Sequence, residues 1–187
     1  MIFAHFLIPE VNEANVFCVA CPETRRAMLI DAAALDPRIP EFLQAHDLAL
    51  EAVFITHTHY DHVGGLAEIV AKYAPTVYAG VAEVDGVAAH RVKHDERIAL
   101  GTLEARAVAL PGHTPEGMGL VFPGMAFTGD ALFAGSIGGT TSSSQKTTEM
   151  DAIRNHLFTL PDEYLIHTGH GPSSTIAVEK TYNPFFG

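Results

Sequence analysis

Cysteine, basic side chains and long apolar runs are all scarce in this chain, and each scarcity removes a class of protein. Only two cysteines occur, Cys18 and Cys21. They lie in a β-type run whose alternation turns them to opposite faces, so the sequence predicts buried or half-buried free thiols. A lone C-x-x-C completes neither a structural zinc site nor a thioredoxin-like context. Lys and Arg number 11 against 22 Asp and Glu, a formal net charge of −11. Nucleic-acid binding needs a cationic stripe, so that partner is excluded and a small-molecule substrate is expected. No apolar run reaches the roughly 18 to 20 residues of a membrane span, and Met1 to Pro9 has neither a basic flank nor a small-residue cleavage pattern. A cytoplasmic protein without a membrane partner is expected; the sequence carries no signal of oligomeric state.

What is present suits a globular chain. At 187 residues, 48% hydrophobic and 18% charged, residues 1–187 read as a single domain, with 16 Gly and 11 Pro dividing it into short elements. Strands are predicted at Ile2 to Ile8, Asn15 to Ala20 and Arg26 to Asp31, an antiparallel opening meander. A short helix carrying Ile39, Phe42 and Leu43 follows, then a strand from Glu51 to Ile55. Next comes a helix with Val63, Leu66, Ile69, Val70 and Tyr73 on one face. Thr76 to Tyr78 reads as a strand, followed by an Ala-rich helical turn and a charged surface loop from Arg91 to Arg97. Strands return at Leu103 to Leu110, Gly119 to Phe122, Met125 to Thr128 and Tyr164 to His167. The polar run from Gly135 to Thr148 reads as a linker ahead of a helix aligning Met150, Ile153, Leu157 and Leu160. Phe185 and Phe186 are the apolar anchor of a tail helix. By periodicity alone this is a mixed α and β protein.

Histidine, at 11 residues, is where the chemistry concentrates. His57, His59, Asp61 and His62 fall within six residues just after a predicted strand, a density that packing does not explain. An extended segment would project His57, His59 and Asp61 to one side at period two, with His62 swinging away into the helix, so that two adjacent ions could be served. His113 in L-P-G-H-T-P, Asp130 in T-G-D-A-L-F and His170 in H-T-G-H-G-P repeat one context: an apolar strand, a glycine, then a metal-ligand residue type. Imidazole and carboxylate suit zinc, iron or manganese, and the absence of thiolates argues against a closed structural zinc site. His5, His46, His90, His94 and His156 read as surface or packing residues, and His167 as structural or supporting.

The H-x-H-x-D-H motif with its later His, Asp and His resembles the metallo-β-lactamase superfamily over nearly the whole chain. The resemblance implies an α/β fold, a four-layer αββα sandwich of two mixed β-sheets flanked by helices. It implies one metal held by His57, His59 and His113, a second by Asp61, His62 and His170, Asp130 bridging both, and Asp31 orienting the ligand loop. The implied cofactors are two divalent metal ions, zinc first, with iron or manganese as alternatives. T-G-D-A-L-F-A-G and the G-H-G-P-S-S-T ending are similar to short glyoxalase II-like hydrolases without a separate C-terminal helical substrate domain. The implied reaction is hydrolysis of a thioester, or a related ester, by water or hydroxide held between the metals. Asp61 and Asp130 are the catalytic candidates, and Tyr60 borders the substrate. Gly138, Gly139 and Thr140 stand where the family commonly has a basic residue for glutathione, which leaves Lys146 as the candidate replacement. The same resemblance permits a persulfide dioxygenase with one iron held by two histidines and an aspartate, and a lactonase or esterase. Outside enzymes, the alternative is a non-catalytic metal-binding module.

Overall fold

Strand alternation divides this chain between three apolar layers, and β2 shows how. In the computed structural model, which describes residues 1–186, β1 (Ile2–Ile8), β2 (Ala14–Ala20) and β3 (Arg26–Ile30) form the antiparallel meander. On β2, Val16, Cys18 and Ala20 pack to one side of the sheet and Phe17 and Val19 to the other. The first side is covered by α1 (Arg38–Ala45) through Ile39 and Leu43. The chain then adds β4 (Ala49–Phe54), α2 (Tyr60–Val63), α3 (Leu66–Tyr73) and β5 (Thr76–Ala79). A hairpin, β6 (Glu83–Val84) and β7 (Val87–Ala88), precedes β8 (His90–Arg91), and the first sheet has the order β1-β2-β3-β4-β5-β8. From β3 onward its neighbours are parallel.

The second sheet is built from β9 (Arg97–Leu100), β10 (Leu103–Ala109), β11 (Met118–Phe122) and β12 (Met125–Gly129). A second hairpin, β13 (Leu132–Phe133) and β14 (Ser136–Ile137), leads to α4 (Ser143–Ala152) and a π-helical turn, Ile153–Leu157. β15 (Leu165–Thr168), β16 (Ser174–Thr175) and α5 (Ile176–Tyr182) complete the order β16-β15-β12-β11-β10-β9. Phe17, Met28, Phe54, Leu120, Phe122 and Phe127 fill the space between the sheets. Val108, Val121, Ala126 and Ile166 pack outward on Ile153, Leu157 and Ile176, with Phe185 and Phe186 against them. Helices, sheet, sheet and helices are thus four layers over three cores, the αββα sandwich expected.

Four local expectations are corrected. The residues after Tyr78 form no helical turn: Asp85 and Gly86, at φ +47° and +78°, make the left-handed corner of the β6–β7 hairpin, a conformation Asp-Gly favours. The stretch from Arg91 to Arg97 is not wholly loop, because β8 joins the sheet edge and Val92 is buried. The helix from Val63 to Tyr73 is interrupted at Gly64 and Gly65, where Gly65 runs so close to Ala34 that a Cβ would come within 2.5 Å of its Cα. The Gly135–Thr148 run is linker only between β14 and α4, since Ser136–Ile137 form a hairpin strand and the helix begins at Ser143. Ser142 Oγ accepts from the Gln145 amide at 3.2 Å and starts α4, while Gln145 Oε1 accepts back from the Thr141 amide at 3.1 Å; this reciprocal cap carries a Ser- and Thr-rich first turn of low helix propensity.

Candidate metal centre

The cluster is carried by segments that follow the C-terminal ends of strands, with Asp61 and His62 on α2 just after the loop that leaves β4. β3 and β4 are parallel; β10 and β12 share a direction because both are antiparallel to β11, and β15 is parallel to β12. Asp31 follows β3, His57 and His59 follow β4, His113 follows β10, Asp130 follows β12 and His170 follows β15. All therefore arrive at one rim of the sandwich, where loops are free to carry polar groups that a core would not tolerate.

Two triplets meet there. His57 Nε2 and His113 Nε2 each lie 3.0 Å from His59 Nδ1. His62 Nε2 lies 3.2 Å from His170 Nε2, which is 3.4 Å from Asp61 Oδ2. Asp130 stands between them, Oδ2 being 3.9 Å from His57, 3.7 Å from His113 and 3.6 Å from His170, and Oδ1 3.4 Å from His62. The period-two expectation is corrected here. Asp61 belongs to the first turn of α2, so it departs from His57 and His59 and joins His62 and His170.

The hydrogen-bond roles decide what this arrangement fits. Thr56 Oγ1 gives its single hydrogen to the Asp31 carboxylate at 2.9 to 3.0 Å, so it accepts from His57 Nδ1 at 3.1 Å and leaves His57 Nε2 as a lone pair. His113 Nδ1 donates to the Gly139 carbonyl at 2.8 Å, which leaves its Nε2 a lone pair as well. Two lone pairs thus converge on His59 Nδ1, which has at most one hydrogen to share. Ligands about 2.0 to 2.2 Å from a tetrahedral ion lie about 3.3 to 3.6 Å apart, close to the spacings observed. Buried Asp130 Oδ1 also lacks a hydrogen bond among the described residues. A cation in each triplet satisfies these atoms, so the donor set fits two divalent metal ions.

The electrostatics point the same way. Burial and the neighbouring His62 charge pull His57 down to about 3, a neutral imidazole ready to ligate. Burial also opposes the charge on His62, but the carboxylates of Asp31 and Asp130 outweigh it and hold that imidazolium up to about 10. Burial raises Asp130, yet the imidazolium at His62 brings it down to about 2. A proton shared in this carboxylate field occupies the place that a cation would take.

Asp31 accepts the Thr56 amide at 2.8 Å and the His62 Nδ1–H at 2.9 Å, which ties the loop after β3 to the first turn of α2. Tyr60 opens α2 with its ring lying over Gly64, and it is 75% exposed at the rim. Lys146 is not brought to the cluster. It projects from α4 with its ammonium 4.7 Å above the Phe185 ring, a cation–π contact on the tail. His167 is structural, stacked among Phe3, Phe17 and Phe127. Both cysteines are free and buried.

Four supporting residues escaped the sequence reading. Asn12, at φ +52°, donates from Nδ2 to Asp61 Oδ2 at 2.7 Å. Asn15 Nδ2 ties the His170 loop through the carbonyls of Thr168 and Gly171, both at 2.9 Å. Glu116 Oε1 accepts from Thr58 Oγ1 at 2.8 Å and so fixes the residue between His57 and His59. Glu149 lies fully buried behind His113, and burial pushes its carboxyl up to about 8. Only Glu149 left a signal, a charged side chain four residues before Ile153 on an apolar helix face. The asparagines read simply as turn formers.

Residues 11–170 match the metallo-beta-lactamase superfamily. A probable metallo-hydrolase of Streptococcus pyogenes is 32% identical over 85% of this chain and 80% of its own length. A hydroxyacylglutathione hydrolase of Vibrio cholerae is 35% identical over 75% of this chain, which spans only 57% of that protein. Among solved structures, ETHE1 from Myxococcus xanthus superposes with a TM-score of 0.89 at 31% identity, covering 98% of this chain and 84% of its own. The superfamily match takes in all seven converging side chains together with the strands that deliver them, and the chain belongs to the metallo-β-lactamase superfamily.

Proposed function

We propose that this protein is a metal-dependent hydrolase of thioesters of the S-acylglutathione class. The observation that carries the reading is the convergence of five imidazoles and two carboxylates, with donor atoms 3.0 to 3.9 Å apart, at one rim of the sandwich. The relationship to a hydroxyacylglutathione hydrolase supports the substrate class. His57, His59 and His113 would hold one ion and Asp61, His62 and His170 the other, with Asp130 placed between the two triplets. Zinc suits this imidazole and carboxylate set, with iron and manganese as the other ions it accepts. Bound ions of this kind lower the pKa of water from about 15.7 toward 7 and polarise a carbonyl. The chain's own task is then to orient: Asp61 or Asp130 accepts the hydrogen bond of the attacking water, and no side chain acts as nucleophile. Gly139 offers a carbonyl to His113 and Lys146 sits over Phe185, so neither supplies a cation for the glutathione end. A lactonase or esterase would use the same ligands and differ in the pocket.

A second reading, an iron-dependent persulfide dioxygenase, is favoured by the likeness to ETHE1 and by one grouping, His57, His62 and Asp130, of two imidazoles and a carboxylate. The experiment is to purify the protein without added metal, determine metal identity and stoichiometry, and assay S-lactoylglutathione, other thioesters and glutathione persulfide. Two ions and thioester cleavage lost in His59→Ala are expected. Equal turnover by His59→Ala rejects the site, and a single iron with oxygen consumption selects the dioxygenase.

A further inference from the structure

Glu149 is a fully buried acid in the second helical layer, and both its carboxyl oxygens lack a hydrogen bond among the described residues. An unpartnered carboxyl group is costly to keep in a core, and two backbone segments close on Glu149, one on its Cβ and main chain and the other on its carboxyl end. Gly112 passes so close that a Cβ there would lie 2.1 Å from the Glu149 Cβ. Gly138 does the same from the other side, where a Cβ would lie 2.6 Å from Glu149 Oε1 and 2.8 Å from the His113 Cβ. These two segments are the ones joined across the centre, because Gly139 supplies the carbonyl that accepts the His113 Nδ1–H at 2.8 Å.

We propose that Glu149 is a positioning residue for His113: its side chain, packed through Cβ on the Gly112–His113 loop and through its carboxyl group on the Gly138–Gly139 turn, is the common abutment of the two segments and thereby fixes the ring orientation and tautomer of His113. The inference rests on the reading of His113 as a ligand of one ion. It adds that the support for this ligand comes from α4, through main chain, without contact to the ion. Supporting partners of metal-bound histidines are worth about 10- to 100-fold in metal affinity. The effect of Glu149 falls on the triplet containing His113 and spares the one containing His62.

The test compares wild type, Glu149→Gln and Glu149→Leu, with Glu149→Ala guarding against a misfit of Leu. Zinc binding is followed by competition with a chromogenic chelator, and the His113 tautomer by long-range proton–nitrogen NMR of the imidazoles after metal removal. Leu and Ala are expected to weaken one of two zinc equivalents about 10- to 100-fold, to leave the other unchanged, and to mix the His113 tautomers. Gln, which keeps an acceptor, restores both. Wild-type affinity for both equivalents with an unaltered tautomer in Leu and Ala overturns the inference, as does equal weakening of both. If wild type takes up no zinc while the tautomer still shifts in Leu, the metal reading fails and the positioning role stands.

Discussion

Asp31 Oδ2 accepts the Nδ1–H of His62 at 2.9 Å, and both side chains are buried. Asp31 itself sits at φ +62°, a left-handed conformation that Asp and Asn tolerate better than most residues. Backbone shape and acceptor chemistry can therefore be separated by one substitution. Asp31→Asn preserves the backbone and turns an amide toward groups that must donate. Its metal affinity is expected to fall about 10- to 100-fold with little change in the far-ultraviolet circular dichroism. A chelator-competition titration checks this, and unchanged affinity would remove Asp31 from the support of the centre.

Asn12 contributes to Asp61 from the opposite side of the site, with one hydrogen bond at 2.7 Å in an exposed setting. Water can replace an exposed donor, so Asn12→Ala is expected to weaken metal binding by less than Asp31→Asn. The same titration ranks the two, and a larger loss in Asn12→Ala contradicts the ordering.

Gly169 is required by space. A Cβ there would lie 2.0 Å from Asp130 Oδ1 and 2.8 Å from His62 Cε1. Gly169→Ala therefore must displace a carboxylate that reaches both triplets, and overpacking of this kind costs about 1 to 3 kcal/mol. Reduced metal content together with a lower melting temperature is expected. A variant that keeps both at wild-type values refutes the crowding.

His167 gives the fold a pH dependence outside the cluster. Burial among phenylalanines, with His5 nearby, pulls it from 6.5 down to about 4. As pH falls below 6.5 the unfolded chain takes up this proton and the folded chain does not, so the contribution of His167 is complete above 6.5. It drains away down to about 4, at a rate approaching about 1.4 kcal/mol per pH unit. His167→Phe should flatten that slope. Urea unfolding of both proteins at several pH values, in the same chelator, measures it; parallel slopes exclude the effect.

The sequence by itself determined which residues of a strand share a face and the ligand inventory, while the stacking into four layers did not follow from periodicity. Alternation along β2 sorts Val16, Cys18 and Ala20 from Phe17 and Val19, and that periodicity is local, so it is legible before any fold is known. The ligand residue types were legible for local reasons too: His57, His59, Asp61 and His62 by their density after one strand, and His113, Asp130 and His170 by the apolar run and neighbouring glycine that each carries. Tertiary structure decided the rest. Whether Asp61 joins His59 or His170 depended on where α2 begins, and the unexpected β6–β7 hairpin depended on two left-handed residues. Asn12 with Asp61, Asn15 with the His170 loop and Glu149 with Gly112 and Gly138 are meetings of segments far apart in the chain. Such contacts leave no period to read, because a hydrogen bond or a close backbone approach is fixed by distance in space and not by separation in sequence.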